Sequence, residues 1–185
     1  MTAPPPAPEV WLITGIPGAG KTTVARRLAA TFPRAAHVEG DRLQDCIVAA
    51  GVWPGEEPAA EAGRQIALTH RNPCLLARSF AEAWFVSVLD DVVVDRHQLA
   101  EYRLRLADLA LYLVVLAPGR AVALARDEAR PDKTVAAPWA FLERVMAEEL
   151  AGSASGSTTG RSRSRRRWRR SWGGGSRRGS NTNSR

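Results

Sequence analysis

A chain of 185 residues, 45% hydrophobic and 24% charged, is long enough for one domain with a full apolar core. It has no apolar stretch long enough to cross a membrane. Its net charge of +7 sits at one end: ten of the 26 Lys and Arg fall in residues 151–185, which contain no acidic residue. Residues 1–150 keep 16 basic against 19 acidic side chains and read as a mildly acidic globular domain, so any nucleic-acid contact is expected through the tail alone.

Residues 1–8 are rich in Pro and Ala and read as a flexible lead, with neither the basic nor the apolar region of a signal peptide. The domain is expected to span residues 9–150. Glu9 to Thr14 forms the first strand, and its apolar run suits a parallel strand covered on both faces. Gly15 to Thr22 then fits G-x-x-x-x-G-K-[ST], a phosphate-binding P-loop. A helix follows from Lys21 to Phe32 with Val24, Leu28 and Phe32 at helical spacing, and Pro33 stops it.

The expected ATP-binding residues are Gly15, Gly18, Ala19, Gly20, Lys21, Thr22 and Thr23. The glycines leave room for backbone N–H groups to turn toward phosphate oxygens. The helix N-terminus adds unpaired N–H groups and the positive end of its dipole. Lys21 is expected on the β- and γ-phosphates, and the Thr22 hydroxyl on Mg²⁺.

Further along, Ala35 to Glu39 is a short second strand, and Asp41 to Ala50 reads as a helix ended by Gly51. A Pro- and Gly-punctuated loop covers 52–58. Ala59 to Ala83 reads as largely helical, with a break or kink at Asn72-Pro73. Phe85 to Leu89 is the third strand, Asp95 to Leu106 a helix with Asp95 as N-cap, and Leu109 to Leu116 the fourth strand. A helix then runs to Arg130, Pro131-Asp132-Lys133 breaks it, and Pro138 opens a last helix from Trp139 to Leu150.

Strands alternating with helices imply an α/β fold with a parallel sheet, in which ligands sit at the C-terminal ends of the strands. The P-loop, Asp41 and Asp90-Asp91 each follow a strand, so they should converge on one cleft. Asp41 is the candidate catalytic base for an acceptor hydroxyl, a role compatible with capping a helix. Asp90 and Asp91 are candidate Mg²⁺ ligands, with capping as the bland alternative. Arg126, Arg130 and Lys133 read equally well as a lid over the phosphates or as a solvated, ion-paired helix face. Arg71 is a candidate acceptor contact, whereas Arg78 reads as surface charge. His37, His70 and His97 show no metal-ligand spacing. Trp53, Trp84 and Trp139 read as core or pocket wall, and Cys46 and Cys74 as buried thiols of a cytoplasmic protein.

Gly15 to Thr22, Gly40-Asp41-Arg42, Val88-Leu89-Asp90-Asp91, and Leu116-Ala-Pro followed by Arg126-Asp-Glu-Ala-Arg130 together resemble the small P-loop kinases. The group includes chloramphenicol phosphotransferase, gluconate kinase and zeta-toxin-like proteins, and the resemblance covers residues 9–150. It implies a three-layer, nucleoside-kinase-like P-loop NTPase fold with the P-loop strand in the middle of the sheet. It also implies ATP as donor, Asp41 as base, and Arg126 and Arg130 in the lid. The acceptor, expected to be a small-molecule hydroxyl, is left open. The rival functions are a polynucleotide 5′-kinase and a nucleotide-dependent nucleic-acid-binding protein that works through the basic tail.

Kinases of this group end with a fifth strand and a final helix. Residues 151–185 are instead an Arg/Ser/Gly-rich stretch that reads as disordered. One reading is a basic arm that binds nucleic acid with Trp168 and Trp172 as stacking residues. The reading we favour is an out-of-frame translation. With suitable codons, Gly152 to Thr158 becomes Leu-Gly-Leu-Trp-Leu-Asp in another frame, the apolar strand that such kinases carry there.

Overall fold

The computed structural model describes residues 8–129 and 136–153. Four strands, β1 (Glu9–Gly15), β2 (Ala35–Glu39), β3 (Val86–Asp90) and β4 (Ala110–Leu116), form a wholly parallel sheet in the order β2-β3-β1-β4. The strand that feeds the P-loop is thus interior, paired with β3 on one side and β4 on the other. The helices are α1 (Lys21–Ala29), α2 (Gly40–Gln44), α3 (Ala59–Glu82), α4 (Arg96–Arg105), α5 (Arg120–Glu128), α6 (Ala136–Trp139) and α7 (Leu142–Glu149).

The interior strands β1 and β3 are largely apolar, as suits strands covered on both faces. On one face Ile13 and Val88 pack with Ala25, Leu28 and Ala29 of α1. On the other, Val10, Leu12, Leu89 and Leu113 pack with Ala77 of α3, Leu99 and Tyr102 of α4, and Met146 of α7. Val10, Leu12 and Ile13 are fully buried, and truncating such a residue costs about 2–5 kcal/mol. Thr14 sits among them and satisfies its hydroxyl locally: it accepts from the Val93 N–H at 2.9 Å and donates to the Val93 carbonyl at 3.2 Å. That pair ties the end of β1 to the segment after β3.

Several boundaries differ from the sequence reading. The helix expected from Asp41 to Ala50 closes after Gln44, where the Asp45 N–H bonds to the Asp41 carbonyl. Beyond it Cys46, Val48 and Ala49 face solvent, so no apolar stripe supports more turns. α3 runs unbroken through Pro73, which is buried beside Cys74 and Ala77. Core packing there outweighs the roughly 3 kcal/mol that an internal proline costs. The last helix is split: Pro138 lies within α6, and Met146 and Leu150 reach the core from the second piece.

Cys74 is buried as expected, but Cys46 is exposed. Trp84 is neither core nor pocket wall; it is 37% exposed at the turn that follows α3. Asp95 caps α4 as expected, accepting from the Gln98 N–H at 2.8 Å. Lys133, Arg130 and the tail from 154 onward, with their lid, disorder and reading-frame expectations, lie outside the described residues. Among the described residues no helix is long and apolar enough to cross a membrane.

Candidate active site

The C-terminal ends of β1, β2 and β3 open into a cavity of about 640 Å³. Pro17, Gly18, Gly20, Lys21 and Thr22 form one wall, and Asp41, Asp90 and Asp91 line the same space. The expected convergence of three strand ends is therefore present.

The P-loop keeps its shape through glycine. Gly18 has φ 80, and a Cβ there would lie 2.2 Å from the Ala123 carbonyl of α5. The loop thus presses directly on α5 and permits no side chain at that position. Lys21 and Thr22 open α1, whose N-cap Gly20 lies in the left-handed region and contributes no side chain. No capping side chain therefore competes with a ligand for the first N–H groups of the helix. Ala19 is buried behind the loop, its N–H bonded to the Ile16 carbonyl, and Thr23 is exposed on α1. Arg126 comes from α5 and donates to the Ala19 carbonyl at 3.4 Å. It thus touches the P-loop from behind and is not among the residues that line the cavity.

Asp41 sits in the first turn of α2, exposed at the surface of the cavity. Asp90, the last residue of β3, and Asp91, the next, separate by strand parity. Asp90 pairs in register with Ile13 and Glu39, residues of the α1 face. It is 5% exposed, and its Oδ2 lies 3.4 Å from His37 Nε2 without completing a hydrogen bond. A buried carboxylate oxygen left short of partners, in a cavity that Thr22 also lines, is suited to a cation, so this pair would fit Mg²⁺.

Asp91 points the other way and is fully engaged. It accepts from the Tyr102 hydroxyl in a short contact and from the Val92 N–H at 2.7 Å. Burial raises its carboxyl above the ordinary value, opposed by the nearby His70 and the Tyr102 hydrogen bond. Burial, with the adjacent Asp91 charge, raises the Tyr102 phenol well above its own. Asp91 thus holds two hydrogen bonds, whereas Asp90 Oδ2 holds none, and both line the cavity.

Arg71 is exposed on α3 and is not among the residues lining the cavity, so an acceptor contact from it has no support in this geometry. Arg78 forms a two-pronged ion pair with Asp108, at 2.6 and 3.1 Å, far from the P-loop wall. Trp53 and Trp139 do line the cavity, as do His70, considered from sequence only as a metal ligand, and Gln44, Thr69 and Gln98, which sequence reasoning did not single out. These polar residues come from three separate helices, α2, α3 and α4, which sequence spacing does not link.

The fold is shared with P-loop kinases of known structure. A sugar kinase from Janibacter sp. HTCC2649 superposes with a TM-score of 0.59 at 15% identity, covering 81% of this chain and 83% of that one. The Mycobacterium tuberculosis APS kinase CysC, in complex with AMPPNP and APS, gives 0.54 at 21% identity over 68% and 71%. A component of the Pnkp1/Rnl/Hen1 RNA repair complex gives 0.56 at 16% identity, with 76% of this chain but only 43% of that chain covered. A comparison with curated proteins finds no match. The family model described as AAA domain matches residues 10–151, and the chain belongs to that AAA domain family.

Proposed function

We propose that the chain is an ATP-dependent phosphotransferase that moves the γ-phosphoryl group of Mg-ATP onto the hydroxyl of a small molecule. The observation that carries this reading is the single cavity lined at once by Lys21 and Thr22 of the P-loop, Asp41 and Asp90. The likeness of the fold to an APS kinase bound to AMPPNP supports ATP as the donor. A cytoplasmic location belongs to the same reading, because Mg-ATP is supplied there.

In this mechanism the P-loop N–H groups and Lys21 hold the phosphates in line with the acceptor. Thr22 and Asp90 would hold Mg²⁺, which supplies charge neutralisation across the β- and γ-phosphates when bound. Asp41 orients the acceptor hydroxyl and takes its proton as the new P–O bond forms. The bond from the γ-phosphorus to the β,γ-bridging oxygen breaks, and its electron pair leaves with ADP. Arg126, beside the Ala19 carbonyl, offsets negative charge that develops at the transferring group.

A screen of hydroxyl compounds for acceptor-dependent ADP formation tests the reading. Asp41→Asn should keep Mg-ATP affinity within a few-fold of the parent and lose at least about 10²-fold in kcat. An Asp41→Asn protein that turns over like the parent would remove Asp41 from the mechanism.

A further inference from the structure

We propose that His37 is a positioning residue of the metal site: its imidazole donates through Nε2 to Asp90 Oδ2 and holds that carboxylate ready for a cation. The inference rests on the kinase reading, which gives Asp90 a cation to hold. It adds a residue that stands behind the cavity and is not among those lining it.

Strand pairing assembles the group. His37 and Glu39 alternate on β2 and pair in register with Val88 and Asp90 of β3. Side chains two apart on a strand share a face, and Val88 packs with Ala25 of α1. All four therefore lie on the α1 side of the sheet. Arg26 of α1 reaches over this face and donates to Glu39 Oε1 at 2.6 Å. His37 Nδ1 lies 3.7 Å from the same oxygen, and His37 Nε2 lies 3.4 Å from Asp90 Oδ2. The imidazole thus stands between a carboxylate anchored by Arg26 and a carboxylate that lines the cavity.

Burial places the proton. His37 Nε2 and Asp90 Oδ2 are both shut off from solvent, and neither completes a hydrogen bond among the described residues. Without a proton on Nε2, two sets of lone pairs would face each other at 3.4 Å in a water-free space, which is costly. With the proton there, Asp90 Oδ2 is the acceptor at hand, and a closure of about 0.4 Å gives an ordinary N–H···O distance. No change of charge is needed, because a neutral imidazole already carries one N–H.

The carboxylate has capacity for both partners. Its two oxygens offer about four lone-pair sites, of which His37 takes one. Asp91 next door is pinned by the Tyr102 hydroxyl and the Val92 N–H. For Asp90 the imidazole is the corresponding support. A carboxylate oriented in advance loses less freedom when the cation arrives, and such outer partners change metal affinity by about 10–100-fold.

The test is calorimetry of ATP binding to the full chain, once in excess Mg²⁺ and once in excess EDTA. The readout is the gain in ATP affinity that the metal confers. His37→Phe, which keeps a ring but no donor, should lose about tenfold of that gain and bind metal-free ATP as the parent does. His37→Gln, which keeps an N–H at the same reach, should retain most of the gain. Asp90→Asn should lose the gain by itself, and adding His37→Phe to it should change nothing further, because His37 acts through Asp90. An unchanged gain in His37→Phe, an equal loss with and without metal, or additive losses in the double variant overturns this inference and leaves the kinase reading standing. A parent chain that binds ATP but gains nothing from Mg²⁺ overturns it as well. A folded parent chain that binds ATP in neither condition overturns the kinase reading and this inference with it.

Discussion

Gly40 lies against the carboxylate of Asp91: a Cβ on Gly40 would come within 2.7 Å of both Asp91 Cγ and Oδ1. The carboxylate cannot step aside, because the Tyr102 hydroxyl and the Val92 N–H hold it. Asp91 thus sets the position of the residue before Asp41 and so aims the proposed base. Gly40→Ala should lose about 1–3 kcal/mol of stability from overpacking, read by denaturant unfolding. It should also lower kcat by roughly 10²-fold as Asp41 shifts. An alanine variant with the parent's kcat would show that Asp41 needs no such support.

Gly18 meets backbone instead of side chain. A Cβ at this position would fall 2.2 Å from the Ala123 carbonyl, at φ 80. Gly18→Ala must move either the P-loop or α5, so Mg-ATP affinity should drop at least tenfold, about 1.4 kcal/mol or more. Calorimetry on the variant is the check, and undiminished affinity would contradict the loop geometry.

Arg126 touches the P-loop through the Ala19 carbonyl and lies 3.7 Å from where a Gly20 Cβ would be. Its removal should affect the transition state more than the bound nucleotide. Arg126→Ala is expected to lose about 10²-fold or more in kcat, with Mg-ATP affinity changed only a few-fold. A loss confined to affinity would make Arg126 a binding residue only.

The two cysteines should differ in reactivity. Cys46 is exposed, whereas burial pushes the Cys74 thiol from 9.0 up to about 12. A thiol reagent at neutral pH should label Cys46 quickly and Cys74 only on unfolding. Because the folded pKa of Cys74 is raised, its contribution to stability is full below about 9 and is lost as the pH climbs toward 12. Cys74→Ser should therefore flatten the alkaline fall in stability between those values. Equal labelling of both thiols in the folded chain would contradict the burial.

The donor side of the site was legible in the sequence because its chemistry demands fixed residue types at fixed spacing. Gly15 to Thr22 after an apolar strand could be read directly. So could the convergence of Asp41 and Asp90-Asp91, since parallel strands must end on one side of the sheet. Which of Asp90 and Asp91 lies on the α1 face was not legible. β3 is buried on both faces and shows no polar alternation, so only its register with Ile13 and Glu39 reveals which aspartate faces α1. On the opposite wall Trp53 and Trp139 could be read as core or pocket wall, but Gln44, Thr69 and Gln98 could not, because tertiary packing alone brings them there. The overlong second helix failed where helical propensity lacked an apolar face to bury.

The central claim is that this P-loop binds Mg-ATP for transfer, and calorimetry on the full chain and on Lys21→Ala tests it most directly. Binding by the parent chain that Lys21→Ala loses is the predicted result, with both proteins equally folded by circular dichroism. A folded parent chain that binds no Mg-ATP, or a Lys21→Ala chain that binds it as well as the parent, would contradict the claim.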